Sequence, residues 1–196
     1  MSTQEDRWAR FLDPEVVRTQ LFSALMFITT FEILKDSTVD RLRDFYSIGF
    51  DHAGPTEAPD YQAKVLCRSN SPLYASLDWL REEGAIDHDD LALFEELKKI
   101  RNSLAHELFA VVTGQVESNH ARRLDELVAL LRKIEVWWVV NVEIPTNPDY
   151  DGQKVDEAGI VPGAILGLEM LVRVASGDTT LLQHYKKLRA KDLEEK

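Results

Sequence analysis

Between Asp87 and Gly114 the chain has room for only one local structure. Leu93, Phe94, Leu97, Ile100, Leu104, Leu108 and Val111 recur at three- and four-residue intervals, so turning about 100° per residue gathers them into one stripe. Asp87 supplies an N-terminal cap, Asp89 and Asp90 put carboxylates in the first turn, and Gly114 offers a left-handed stop. A long amphipathic helix over 88–112 must therefore lay its apolar face on other elements. The Asp87-His88-Asp89-Asp90 cluster then reads as helix-start chemistry rather than a metal site, because consecutive residues rarely converge on an ion.

The same grammar predicts helices along most of the chain. Asp13-Pro14 opens one, and apolar residues run from Val16 to Leu34 with hardly a breaker, which predicts a central helix. Val39, Leu42, Phe45 and Tyr46 form a second stripe, continuing the first helix or kinked from it over residues 35–38. Residues 49–59, with two Gly and two Pro, predict a loop, and another helix starts near Tyr61 and carries Val65 and Leu66. Ser71-Pro72 opens a helix with Leu73, Leu77 and Leu80 inside and Gly84 as its stop. The last major helix spans Ser118 to Glu143, buries Leu124, Leu127, Leu130, Leu131, Ile134 and Trp138, and is stopped by Pro145 and Pro148. The Trp137-Trp138 pair reads as packing surface.

No strand is expected, because no segment alternates persuasively with period two. The expected architecture is all-α: a helical bundle over 1–144, an exposed linker over 145–159, and a C-terminal helix with a charged tail over 160–196 that packs on the bundle. Within that last part Val161 to Ala175 is apolar, Gly163 and Gly167 allow close helix contact, and the tail after His184 is expected to fray.

Composition narrows the function. At 196 residues with 44% hydrophobic side chains the chain can bury a core of its own. A single cysteine, Cys67, excludes an internal disulfide framework and a Cys-rich zinc site, which points to a reducing compartment. The acidic start lacks the positive charge and apolar run of an export signal, and the longest apolar stretches are too short or too interrupted to span a bilayer, so a cytoplasmic protein is expected. A net charge of −11 weighs against general polyanion binding. Lys98, Lys99, Arg101, Arg122, Arg123, Arg132 and Lys133 offer local positive charge, although the simpler reading is solvated helix faces paired with acids.

On the outer side of the 88–112 helix, Arg101, Asn102 and His106 stand apart. His106 lies about 180° from Leu97, flanked by Asn102, Ser103, Phe109 and Ala110, a side lean in charge. Such a face predicts a cover, and a second copy of the chain is the economical one, with Ser103, Phe109 and Ala110 at the interface. Arg101 and His106 are about 140° apart in projection, so one straight helix cannot aim both at one point, whereas a twofold axis beside this face would gather two of each.

The stretch Leu77 to His106, LDWLREEGAIDHDDLALFEELKKIRNSLAH, resembles HEPN domains, in which an Arg and a His separated by four residues, with a polar residue after the Arg, lie on a helix of a small bundle. The resemblance extends by helix order to about residue 144. It implies a homodimeric, metal-independent endoribonuclease, a toxin or phage-defence effector paired with an antitoxin or regulatory protein, with Arg101, Asn102 and His106 catalytic and no cofactor. Lys98 and Lys99 would then bind RNA. The chemistry is coherent on its own terms, since RNA carries its nucleophile, an imidazole can move a proton near neutral pH, and a guanidinium can take the charge growing on phosphorus. Family members silenced by nucleotidyl transfer carry a Tyr two residues after the His, where this chain has Leu108. The sequence is also similar to the mannitol operon repressor family, which implies the alternative of a non-catalytic dimeric helical regulator or adaptor acting through protein partners.

Overall fold

The computed structural model describes residues 4–52 and 54–194 and is helical almost throughout. Its frame is three helices: α2 (Pro14–Phe45), α5 (His88–Val112) and α6 (His120–Trp138). The pairs Phe27–His120, Arg41–Glu135 and Phe45–Trp138 align α2 parallel to α6, while Glu96–Arg123 and Asp87–Lys133 set α5 antiparallel to both. Phe27, Leu34, Leu42, Phe94, Leu97, Leu104, Leu127, Leu131 and Ile134 fill the space between them. The helix α4 (Pro72–Glu82) closes one side with Leu77, Trp79 and Leu80.

Several ends form for the reasons expected. Asp13 Oδ1 accepts from the Glu15 backbone N–H at 2.9 Å, with Pro14 at the first helical position of α2. Asp87 and Asp90 make a reciprocal capping box on α5, and Gly84 (φ +76°) and Gly114 (φ +71°) terminate α4 and α5 in the left-handed region. The stripe around Val39 simply continues α2, whose Thr30 and Thr38 hydroxyls donate back to the carbonyls of Met26 and Leu34 and so need no other partner inside the core.

Three features depart from the sequence reading. Residues 49–59 are not all loop: β1 (Ser47–Asp51) and β2 (Gly54–Glu57) pair antiparallel, and α3 (Pro59–Lys64) follows. Gly54 and Pro55 lie in β2, an edge strand of a two-stranded sheet, where proline is tolerated, and Pro59 takes the first turn of α3. A helix α1 (Gln4–Leu12) precedes Pro14 and was not anticipated; its Phe11 meets Phe109 edge-on, with ring centroids 6.0 Å apart.

Pro145 does not stop the last long helix. It has no N–H to return to the carbonyl four residues back, so the helix widens into a π turn (Val139–Glu143), in which the Ile144 N–H reaches Val139 O, and passes on through α7 (Ile144–Thr146) to Asn147-Pro148. Beyond the exposed linker, α8 (Gly163–Ala175) seats Ile165 and Leu168 against the bundle. The tail after His184 belongs to α9 (Thr180–Glu194), helical but with its described side chains almost all exposed.

By length and composition alone, the segments Pro14–Phe45 and Glu157–Ala175 would suit a membrane span. The first is the bundle's central helix. Of the second only the 13 residues of α8 form a continuous α-helix, about 20 Å of rise against a hydrocarbon core of about 30 Å.

Candidate functional site

The face that the sequence singled out lies on the middle of α5. Arg101 turns along the edge of the helix toward α2. Its Nε donates to Glu32 Oε1 at 2.8 Å, its Nη2 reaches the same oxygen, and its Nη1 donates to Asn102 Oδ1 at 3.3 Å. Glu32 also accepts from Lys35 Nζ at 2.9 Å. The Lys35 hydrogen bond and then that of Arg101 hold the Glu32 carboxyl below its ordinary range, so the carboxylate stays ionised at neutral pH. One carboxylate thus serves two cations, and Asp36 adds a second negative charge beside Lys35.

The acid facing Arg101 is therefore Glu32, not the neighbouring Glu95 or Glu96 that a helix-surface pairing would use; Glu96 instead binds Arg123. Sequence reasoning missed Glu32, although a signal was present: it is the lone acid in the apolar run from Val16 to Leu34. A carboxylate in such a run needs a cation, and α5 supplies it.

Asn102 and His106 are exposed, one turn apart on the outer face of α5. Among the described residues neither ring nitrogen of His106 has a protein partner within hydrogen-bonding distance, so within one chain the Arg101–Asn102 contact forms and the His106 contact does not. Just past His106 the helix breaks, with Glu107 at φ −124° and ψ 20°, its carboxylate accepting from Ser103 Oγ at 2.9 Å. The single straight projection expected from Leu93 to Val111 is corrected here: Phe109 and Ala110 belong to a re-aimed last turn. Phe109 packs on Phe11 of the same chain yet remains 68% exposed, and the Ala110 carbonyl accepts from the Gln115 and Val116 backbone N–H groups.

Around this face lies exposed apolar surface. Leu25, seven residues before Glu32 and hence on the same side of α2, is 54% exposed, and Leu21, Phe22, Trp8 and Leu12 add to it.

The other cations are mostly engaged. Lys98 donates to the Tyr74 hydroxyl and lies 4.6 Å from the centroid of that ring, while Lys99 is exposed. Arg123 pairs with Glu96 and Glu126, and Lys133 with Asp87 and Asp90. Arg132 donates to the Ile160 carbonyl at 2.9 Å. These are the acid-paired and structural roles of the simpler reading. Asp87 has its pKa lowered to about 2, first by the Asp90 backbone N–H and then by Lys133. Among the described residues no three His, Cys, Asp or Glu side chains gather as a metal would require.

A second histidine escaped the sequence reading. His120 opens α6 buried against Phe27, with Nδ1 2.8 Å from Ser118 Oγ and, among the described residues, no hydrogen-bond partner for Nε2. Burial pushes its pKa below the ordinary value. Compared with known proteins, the chain matches no family model, no curated protein and no solved structure.

Proposed function

We propose that the chain is a homodimeric, metal-independent endoribonuclease of HEPN type, in which the outer faces of two α5 helices meet and pair Arg101, Asn102 and His106 of both subunits around one RNA phosphate. The observation that carries this reading is the Glu32–Arg101–Asn102 chain beside an unengaged His106 on a face rimmed by exposed apolar residues. Glu32 takes the Nε edge of the guanidinium and fixes its plane. With Nη1 donating to Asn102, the remaining N–H groups of Nη1 and Nη2 are those that would meet a phosphate oxygen.

In this reading His106 of one subunit takes the proton of the ribose 2′-hydroxyl or returns one to the leaving 5′-oxygen. Arg101 stabilises the charge that develops on the phosphoryl oxygens, and Asn102 orients it. The product is a 2′,3′-cyclic phosphate. A cytoplasmic toxin or phage-defence effector, held in check by a protein partner, is the biological setting such an activity fits.

Purified protein incubated with RNA in excess chelator tests this. Cleavage with cyclic ends is expected, and His106→Ala should reduce it at least about a hundredfold without lowering thermal stability, the scale of a lost general acid–base. An RNA pool left intact at dimer-forming concentrations would refute the assignment.

A second reading is favoured by one observation: the carboxylate that fixes Arg101 occupies the same cation a phosphate would use, in a chain of net charge −11. Here the face is a docking surface of a non-catalytic regulator of the mannitol operon repressor kind. His106→Ala is then without effect, and substitution at Phe109 abolishes assembly with the partner.

A further inference from the structure

Where α2 ends, at the opposite end of the bundle from Phe109, a cleft of about 740 Å³ opens between α3, α4 and the π-widened end of the last long helix. Its walls are Phe45, Tyr46, Trp79 and Trp137. Trp79 is buried at the back of the cleft, stacked on Trp138 at 13° and tilted 49° from Phe45; Tyr46 and Trp137 stand across it at 82° and 87°, with centroids 6.3 and 6.0 Å away. Phe45 remains 49% exposed although it touches three other rings.

Ring orientation separates two kinds of guest. A flat heterocycle is best held between parallel walls, whereas rings set at right angles turn their electron-rich faces toward one volume from several directions and suit a compact cation. The polar groups at the mouth point the same way. Glu83 is exposed at the C-terminal cap of α4, where the helix dipole adds negative potential, and among the described residues no cation pairs with it. The cation at the mouth, Lys64, is 2.6 Å from Asp60 and so brings little net charge. The chain's overall acidity draws cations toward it.

The widened turn contributes Asn141 and Val142 to the lining. π turns recur at binding sites because they present side chains and backbone that a regular helix would bury or bond. Here Pro145 imposes the widening and the cleft inherits it.

We propose that this cleft binds a small quaternary or alkylated ammonium ion, held among the rings of Phe45, Tyr46 and Trp137 with Glu83 as the counter-charge. The site is separate from the Arg101 face and does not depend on the ribonuclease reading.

The test is calorimetric titration of the full chain with choline and with 3,3-dimethylbutanol, which has the same shape and no charge. Choline should bind saturably, at least about tenfold more tightly than the neutral isostere, a margin within the range of a cation–aromatic contact reinforced by a carboxylate. Glu83→Gln should weaken choline about fivefold, and Trp137→Leu should remove binding while the circular dichroism and melting curve stay those of a folded helical protein. If Trp137→Leu unfolds the chain, Phe45→Leu, at a half-exposed wall, takes its place with the same expectation. Equal affinity for the two ligands would show an unselective apolar cleft, and tighter binding of adenosine a stacking site. Either result, or no heat with choline at about 50 mM, a concentration at which even the weakest useful contact saturates, overturns the proposal.

Discussion

The two ends of the bundle handle their aromatic residues in opposite ways. At the end where α2 and α6 finish together, Phe45, Tyr46, Trp79, Trp137 and Trp138 pack on one another, and Trp79 and Trp138 lie nearly parallel and buried. At the other end, Trp8, Phe11 and Phe109 form a short row over the last turn of α5, and most of it faces solvent. The first end covers most of its aromatic area with itself and leaves only Phe45 and the cleft beside it open. The second leaves exposed apolar area, a helix break and the polar trio of α5 on one side of the molecule, the surface on which the proposed dimer would close.

That contrast yields the largest expected effect. Phe94 sits at the centre of the frame against Phe31 and is fully buried, so Phe94→Ala should cost about 3–5 kcal/mol of stability through lost burial and a cavity. Phe109→Ala, on the open row, should change monomer stability by less than about 0.5 kcal/mol and instead raise the concentration at which the protein dimerises. Denaturant melts and sedimentation of both variants decide it. A Phe109→Ala protein that melts early and keeps its assembly state would make the open end an ordinary part of the core.

The polar centre of the open end gives the next effect, and it separates the two functional readings. If Glu32 holds the guanidinium plane for catalysis, Glu32→Gln leaves a weaker, uncharged acceptor, and RNA cleavage should fall about tenfold, with kcat changing more than KM. If Glu32 merely neutralises Arg101, the same change releases a cation, and RNA affinity should rise with a steeper salt dependence. Filter binding and single-turnover cleavage on one preparation distinguish them. Arg101→Lys is the companion variant, since a lysine restores the charge but not the fork that reaches Glu32 and Asn102 together.

How far the sequence led is visible in the same residues. The helices whose apolar stripes and caps agree, such as α4 with Gly84 and α5 with Asp87 and Gly114, were legible because local chemistry and tertiary burial demand the same thing. Two features were hidden for physical reasons. The hairpin at Ser47–Glu57 is too short for alternation to rise above its Gly and Pro content, and the π turn is a response to Pro145 that keeps a helix going where proline ordinarily ends one. Arg101, Asn102 and His106 stood out through the resemblance of their motif, but the Glu32 contact depends on how α2 lies beside α5, which no local pattern encodes. The kink at Glu107 likewise has no glycine or proline to announce it.

His120 supplies the smallest effect and the sharpest use of pH. Its imidazole enters the core between Phe27 and Ser118, where desolvation disfavours the charged form, so its folded pKa lies below the value of about 6.5 expected of an unfolded chain. The unfolded state therefore binds the extra proton first. Stability from this residue is fully present above about pH 6.5 and is lost progressively as pH falls through 6.5 toward the folded pKa. Chemical melts between about pH 5 and 8 should slope accordingly. In His120→Gln the part of that slope due to the imidazole should vanish, because an amide keeps a polar contact with Ser118 and has no proton to gain. Since His120 faces Phe27 at the start of α6 and not the outer side of α5, the substitution should leave any pH dependence of RNA cleavage where it was. A cleavage profile that moves with His120→Gln would instead tie the buried histidine to the open face through the helices between them.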